Sequence, residues 1–252
     1  MSQEAEITQS TENKITTIEF YHPKGNSMPG DHLRELADTI RKAGEDEATK
    51  VILLKSRGSG AFCAGASFDE LVSISNFDEG KRFFMGFALV INAMRECPKL
   101  IVCRVQGKVV GGGVGIASAA DYTLATDTAA IKLSELALGI GPFVVGPAVE
   151  RKVGTSAFGT LSLNPTEWQS ADWAYQRGFY SELHASEETL DESVEQLTAK
   201  LAGYSSAAMK QMKTVLWEST EHWSDLLEKR AEISGELVLS EEAQQAIETA
   251  RK

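Results

Sequence analysis

Three consecutive glycines, followed later by one glutamate, are the residues of this chain best suited to chemistry. Gly111, Gly112 and Gly113 stand between a strand-like and a helix-like run, and Glu135 lies among apolar neighbours. Glycine lets backbone N–H groups approach a ligand closely, and a helix N-terminus aims them at negative charge. A carboxyl group in apolar surroundings tends toward a raised pKa, which suits proton transfer near neutral pH. These residues predict a site that holds an oxyanion and moves a proton beside it.

A second turn rich in small residues lies earlier in the chain. The segment AFCAGASFDEL (61–71) follows a strand-like run and contains Ala64, Gly65 and Ala66. Small residues there allow a backbone N–H, that of Ala66, to point into a cavity. On its own the segment is more typical of a tight turn whose small residues serve packing. Two such turns, each between a strand and a helix, favour an oxyanion hole with two donors.

Other chemistries find little support in the sequence. The glycine run lacks both the Lys-Ser/Thr of a P-loop and the third glycine of a dinucleotide fingerprint. The histidines are scattered and no GxSxG segment occurs, so neither a metal site nor a serine hydrolase triad is predicted. We interpret Cys63 as a small buried apolar residue, and Asp121 as a structural cap or a member of an ion pair.

Alternating strand and helix patterns predict an α/β fold. Strands are predicted over 15–21, 51–55, 100–106, 121–126 and 130–133, and helices over 31–40 (with Asp31 as N-cap), 83–94 and 113–120.

Only amphipathic helices are predicted beyond about residue 166, where they pack either on their own core or on a partner subunit. The predicted division is a flexible N-terminal segment (1–14), an α/β core (15–190) and a C-terminal helical region (191–252).

Charge and composition narrow the class of partner. The net charge of −11 argues against nucleic acid and against an anionic membrane surface. The N-terminus lacks the pattern of a signal or transit peptide, and no run of apolar residues is long enough for a membrane span. Three cysteines without a CxxC pair are typical of a reduced chain, so we expect a cytoplasmic protein.

These segments, in this order, resemble the crotonase (enoyl-CoA hydratase/isomerase) superfamily. The segments that carry the resemblance are FCAGAS (62–67), VQGKVVGGGVGIASAADYTLA (105–125), LSELALGIGP (133–142) and HPKGNSMP (22–29), the last similar to the loop that wraps coenzyme A. The resemblance covers about residues 15–252. It implies a spiral of ββα units with a C-terminal helical oligomerisation region, assembled as a homotrimer or hexamer. It also implies an acyl-CoA thioester substrate, with coenzyme A as part of that substrate and no separate cofactor.

The same resemblance assigns roles to individual residues. It implies that the N–H groups of Ala66 and Gly112 bind the thioester oxygen, and that Glu135 is the acid/base. Contacts with the substrate are expected from Lys24, Ala64, Gly65, Gly111, Gly115 and Phe143.

The chain departs from the family pattern at two positions. Gly115 stands where hydratases of the family commonly carry a first glutamate, so one of two usual carboxylates is missing. Asp69 or Glu70 could replace it. Ser67 stands where the family usually has Asp, a residue with a mostly structural role in the loop.

The resemblance therefore implies an acyl-CoA lyase or isomerase of fatty acid metabolism that works through a thioester enolate. A single carboxylate favours double-bond isomerisation, whereas hydration is the commoner activity of the family, and both stay open. The alternatives are a crotonase-like thioester hydrolase and a catalytically weak acyl-CoA binder.

Overall fold

The computed structural model describes residues 5–251 as a mostly parallel β-sheet covered by helices on both faces. The strands are β1 (Glu6–Glu12), β2 (Ile15–Tyr21), β3 (Val51–Ser56), β4 (Leu100–Val105), β5 (Val109–Val110), β6 (Tyr122–Thr126), β7 (Ile131–Lys132) and β8 (Glu182–His184). The helices are α1 (Gly30–Glu45), α2 (Phe68–Ser73), α3 (Phe77–Glu96), α4 (Gly112–Ser118), α5 (Gly146–Leu163), α6 (Ala171–Gln176), α7 (Glu187–Gly203), α8 (Ser206–Leu216), α9 (Trp223–Leu237) and α10 (Glu241–Ala250). A short 3-10 helix spans Glu135–Leu138. The predicted α/β class is confirmed.

The main sheet has the strand order β1-β2-β3-β4-β6-β8, and a separate two-stranded sheet joins β5 and β7. Only β1 runs antiparallel to its neighbour. The sequence of β4, LIVCRV, is almost entirely buried, as expected for a parallel strand covered on both faces. On one face, α7 packs Leu190 and Val194 against Val51, Val102 and Leu124. On the other face, α1, α3 and α4 close the larger core.

The N-terminal segment differs from the flexible tail predicted over 1–14. Glu6–Glu12 forms β1 and pairs along its whole length with β2. Asn13 and Lys14 make the turn, and both have positive φ, as a tight two-residue hairpin requires. Because β1 is polar and mostly exposed, the apolar pattern gave no sign of it. Residues 1–4 lie outside the described residues.

The C-terminal half also differs from prediction in two ways. Strand β8 occurs after residue 166 and extends the sheet beside β6. Helix α7 begins at Glu187 and packs on the sheet, so the predicted boundary between 190 and 191 falls inside a core helix.

Two helix starts move by one or two residues from their predicted positions. Pro29 rather than Asp31 is the N-cap of α1, and α4 begins at Gly112 rather than Gly113. Among residues 5–251, none of the helices is long and apolar enough to cross a membrane.

Helices α3 and α9 approach each other closely at a pair of glycines. A Cβ on Gly80 would lie 2.9 Å from the Cα of Gly235, and one on Gly235 would lie 2.7 Å from the backbone nitrogen of Lys81. The absence of side chains at this crossing lets the two backbones touch. As a result Ser234 of α9 reaches the same cavity as the phenylalanines of α3.

Candidate active site

The small sheet of β5 and β7 brings the glycine turn and Glu135 together. Strand β5 leads into Gly111, and β7 leads through Ser134 into Glu135. The two strands are parallel, and the N–H of Gly111 donates to the carbonyl of Lys132 at 2.9 Å. Parallel neighbours end at the same edge, so the residues that follow them meet in space. A Cβ on Gly111 would lie 3.3 Å from Oε1 of Glu135.

The glycine turn is shaped by left-handed backbone and close packing. Gly111 is the N-cap of α4 with φ of 53°, a conformation that favours glycine. Gly112, the first residue of α4, lies directly against the ring of Phe87, since a Cβ there would be 2.2 Å from that ring. The first N–H groups of a helix have no partner within it, so that of Gly112 is available to a ligand.

The loop after β3 supplies the second donor. Gly65 has φ of 92°, and a Cβ on it would lie 3.9 Å from the backbone nitrogen of Gly112. Met28 donates to the carbonyl of Gly65 at 2.8 Å and accepts from the N–H of Ser67 at 3.1 Å. Extended backbone alternates its polar groups, so the N–H of Ala66 points away from Met28.

The N–H groups of Ala66 and Gly112 donate no hydrogen bond within residues 5–251. Both residues line the same pocket. Two unpaired donors that face one cavity are the arrangement that binds an oxyanion.

Glu135 supplies the ionisable group of the pocket. Its Oε2 is buried and has no hydrogen-bond partner within the described residues. Burial raises the pKa of Glu135 to about 7, opposed by the backbone N–H groups of Ser134 and of Glu135 itself. A carboxyl group with this pKa exchanges a proton readily near neutral pH.

The pocket has a volume of about 130 Å³ and a largely apolar lining. Five phenylalanines contribute to it: Phe68, Phe83, Phe84, Phe87 and Phe143. Among the described residues, the polar side chains of the lining are those of Ser134, Glu135 and Ser234, and only Glu135 carries a carboxyl group. An apolar cavity with a few convergent polar groups is typical of a site for a small organic ligand.

Most of the residues predicted from the sequence lie in this pocket. Those that line it are Ala64, Gly65, Ala66, Gly111, Gly112, Glu135 and Phe143. Lys24 lies outside it, in the adjoining loop, where it forms an exposed ion pair with Asp69. The carbonyl of Gly25, the next residue, accepts from the N–H of Ala64 at 3.0 Å, so this loop borders the site.

Gly115 does not line the pocket, contrary to its predicted contact with substrate. A Cβ on Gly115 would lie 2.5 Å from Cγ1 of Val145 and 3.4 Å from Cδ1 of Ile91. Val145 lines the pocket and covers Gly115. The space that a side chain at residue 115 would need is therefore already filled.

Phe87, Val145 and Ser234 are among the lining residues that were not singled out for the site from the sequence. Helical spacing placed Phe87 on a buried face but could not show that its ring lies on Gly112. Val145 is the N-cap of α5, and Ser234 belongs to α9. The packing of these helices on α4 and α3 follows from the tertiary structure alone.

The other candidate groups, Cys63, Asp121, Asp69 and Glu70, lie outside the pocket. Cys63 is buried, and burial raises its pKa to about 12, which agrees with its interpretation as an apolar residue. Asp121 forms a buried ion pair with Lys213, as one of its two predicted roles required. Glu70 accepts from the N–H of Gly30 at 2.8 Å and, like Asp69, does not line the pocket. Neither of these carboxylates replaces the missing one.

Known proteins that resemble this chain share its fold and sequence pattern. The sequence profile of the enoyl-CoA hydratase/isomerase family matches residues 10–249. A probable enoyl-CoA hydratase of Bacillus subtilis is 25% identical over 244 residues, which are 96% of this chain and 94% of that protein. A (7aS)-7a-methyl-1,5-dioxo-2,3,5,6,7,7a-hexahydro-1H-indene-carboxyl-CoA hydrolase of Rhodococcus jostii is 28% identical over 200 residues, 78% of this chain and 74% of that protein.

Among solved structures, an enoyl-CoA hydratase from Bacillus halodurans superimposes with a TM-score of 0.89 at 19% identity, over 96% of this chain and 99% of that one. At that identity the likeness establishes the crotonase fold alone. The family profile spans nearly the whole chain, and the turns and glutamate of its motifs converge on one pocket. The chain therefore belongs to the enoyl-CoA hydratase/isomerase family.

Proposed function

We propose that this protein is an acyl-CoA double-bond isomerase that uses Glu135 as its single acid/base. The observation that carries the proposal is the buried Oε2 of Glu135, unpaired beside the N–H groups of Ala66 and Gly112. Moving a double bond along an acyl chain needs one group that takes a proton from one carbon and returns it to another. Within residues 5–251, the lining of this pocket includes one such group, Glu135.

The two N–H groups activate the thioester. They bind its carbonyl oxygen, and negative charge moves onto that oxygen when the substrate loses a proton from C2. Fixed donors aimed at the developing charge stabilise the enolate more than the neutral thioester. We assign contact with the coenzyme A portion outside the pocket to Lys24, which lies on the loop that borders the donors and forms an exposed ion pair with Asp69.

Glu135 moves the proton. As a carboxylate it removes a proton from C2 of a 3-enoyl thioester, which gives a dienolate whose charge spreads to C4. The resulting carboxylic acid returns the proton to C4, so the double bond ends between C2 and C3. Atoms and electrons balance without water, metal or cofactor. A pKa of about 7 lets the group act in both directions near neutral pH.

The pocket lining favours an uncharged acyl group. None of the lining side chains within the described residues is cationic, and the phenylalanines offer apolar contact. A second carboxylate on the acyl chain would be buried there without a partner, which is strongly unfavourable. We therefore propose a linear or branched enoyl group without a charged terminus.

Proton exchange in D₂O tests this proposal. The protein is incubated with a 3-enoyl-CoA, crotonyl-CoA and 3-methylglutaconyl-CoA, and each thioester is followed by mass spectrometry. We expect deuterium uptake and double-bond migration with the 3-enoyl-CoA, without a mass gain of one water. The Glu135→Gln variant is the matched control, because it keeps the size of the side chain but cannot accept the proton.

Addition of water to crotonyl-CoA as the main reaction would contradict isomerisation. Exchange at the wild-type rate in Glu135→Gln would remove Glu135 from the mechanism.

A thioester hydrolase is the second candidate, favoured by the names of two relatives. One is the hydrolase of Rhodococcus jostii, and the other is the human mitochondrial 3-hydroxyisobutyryl-CoA hydrolase, 29% identical over 138 residues. Here Glu135 would activate water at the carbonyl carbon rather than move a proton between carbons. Release of free coenzyme A in a thiol assay, with no change in the double bond, would favour this candidate.

We also propose assembly into a homotrimer or hexamer through the C-terminal helices. Helix α8 exposes Met212, Val215 and Leu216, and α9 exposes Ile233 and Leu237. Exposed apolar side chains grouped in this way are typical of subunit interfaces. Analytical ultracentrifugation measures the mass in solution, and a monomer at micromolar concentration would contradict the proposal.

A further inference from the structure

The first turns of α4 present a glycine face that two apolar side chains fill. Gly112 and Gly115 are three residues apart, so they lie on the same side of the helix. The ring of Phe87 occupies the space beside Gly112, and Cγ1 of Val145 occupies the space beside Gly115. Phe87 and Val145 both line the pocket, whereas Gly115 behind Val145 does not.

We propose that Gly115 and Val145 act as a specificity-determining pair: Val145 fills the space that a side chain at residue 115 would need, so the two together close this wall of the pocket to a second acid/base. The inference rests on the proposed function and extends it to the choice between proton transfer and water addition. A side chain at residue 115 would emerge one helical turn from the oxyanion donor of Gly112. Val145, which lines the pocket, occupies the space that such a side chain would need.

Water addition has requirements that the native pocket lacks. The oxygen of water must bond to C3 while one of its protons passes to a base, and a proton must reach C2. A second polar group has to hold the water beside C3 while Glu135 carries out the other of the two proton transfers. The wall formed by Val145 is apolar and 4% exposed, so it offers no hydrogen bond to such a water.

If this inference is correct, water addition requires substitutions at residues 115 and 145 together. Gly115→Glu alone places atoms within about 2.5 Å of Val145, a contact that forces the helix or Val145 to move. Val145→Ala alone removes two methyl groups but supplies no polar group. The double substitution Gly115→Glu with Val145→Ala both clears the space and supplies a carboxylate.

The experiment measures hydration of crotonyl-CoA by mass gain in four proteins. We expect the Gly115→Glu/Val145→Ala protein to exceed wild type by at least about tenfold, which is less than the roughly 10²–10⁴-fold that a well-positioned acid/base contributes. Gly115→Ala/Val145→Ala is the matched control, with the same cleared space and no carboxylate, and it should show no gain. Val145→Ala should likewise show none.

Thermal unfolding keeps the inference testable if the carboxylate variant folds poorly. Gly115→Ala should lower the melting temperature in the wild-type background and lower it clearly less in the Val145→Ala background. Equal losses in both backgrounds would show that Val145 does not fill the space of residue 115.

The inference is overturned if the folded Gly115→Glu/Val145→Ala protein adds no water, or if Gly115→Glu alone adds water equally well with native stability. Failure of the proposed function has a different signature. Wild type would then show no isomerisation in D₂O, whatever the hydration and melting results of the variants at 115 and 145.

Discussion

Two buried carboxylates lie near opposite ends of helix α4, and their surroundings differ. Near the N-terminal end, Oε2 of Glu135 has no hydrogen-bond partner within residues 5–251. Beyond the C-terminal end, Asp121 accepts from Lys213 Nζ at 2.7 Å, from Trp217 Nε1 at 2.8 Å and from the N–H of Ile101 at 2.7 Å. The side chains of Asp121 and Lys213 are only 5% and 4% exposed.

The comparison shows how burial alone fails to identify a functional acid. A buried carboxylate surrounded by donors is paired with them and fixes the elements that supply those donors. Asp121 joins the turn after α4 to β4 and α8 in this way. In Glu135 one buried carboxylate oxygen has no donor within residues 5–251, and burial raises the pKa, so this group binds a proton readily.

The largest expected effect is the difference in activity between a variant of Glu135 and a variant of Asp121. Glu135→Gln should lower isomerisation by about 10²–10⁴-fold, because the amide cannot accept the proton from C2. Asp121→Asn is the matched carboxylate-to-amide control, and activity per folded molecule should persist in it. Steady-state rates with a 3-enoyl-CoA, corrected for the folded fraction, make the measurement. Equal losses of activity in the two variants would show that Glu135 and Asp121 do not differ in their role in catalysis.

Measurements of stability should show that the fold depends on the surroundings of Asp121. Lys213→Met leaves Asp121 buried without its cation, and breaking a buried ion pair costs about 3–5 kcal/mol in the free energy of unfolding. Urea titration of wild type and variant measures this difference. Adding Asp121→Asn to Lys213→Met should recover part of the loss, because the buried charge is then gone. A loss below about 1 kcal/mol, typical of an exposed pair, would show that this pair does not stabilise the fold.

The donor of Gly112 can be displaced without touching either carboxylate. Gly112→Ala places a Cβ 2.2 Å from the Phe87 ring, so the start of α4 must shift. Loss of one oxyanion donor lowers the rate by about 10²–10³-fold. Gly203→Ala is the matched control, since no atom lies within 4 Å of its Cβ. Unchanged isomerisation in Gly112→Ala would contradict the role of this N–H group.

The smallest expected effect is the dependence of stability on pH that Glu135 imposes. Its pKa is about 7 in the folded protein and lower in the unfolded chain, so the folded state binds the extra proton between roughly pH 4.5 and 7. Stability from this group therefore falls as pH rises through that window and is lowest above 7. Glu135→Gln should be more stable than wild type by about 1–3 kcal/mol at pH 8, and the difference should vanish near pH 4. A constant difference across this range would mean that the pKa is not raised.

The chemical groups of the site could be predicted from the sequence, whereas most of the side chains that pack around them could not. Gly65 and Gly111 adopt positive φ at the turns that the sequence marked, and Glu135 meets them because two short parallel strands end together. Local residue type and spacing carry that information. The partners of Asp121 could not be predicted, because Lys213 lies 92 residues away on a helix whose periodicity does not reveal what it packs against.

Two other features, the packing around Gly115 and the N-terminal hairpin, also could not be predicted from the sequence. A missing glutamate was visible in the sequence, but the side chain that fills its place, Val145, was not. Strand β1 is held mainly by backbone pairing and a two-residue turn, and Ile7 is its one apolar residue packed on the core, so hydrophobic periodicity could not detect the strand.

The pH dependence of kcat/KM for isomerisation of a 3-enoyl-CoA tests the central claim most directly. A single carboxylate that must start as the anion, with its pKa raised to about 7 by burial, predicts a rate that rises with pH and levels off above one inflection near 7. The profile should keep this inflection in Asp121→Asn. An inflection near 4.5, or two inflections from two groups, would contradict an unpaired Glu135 as the sole acid/base.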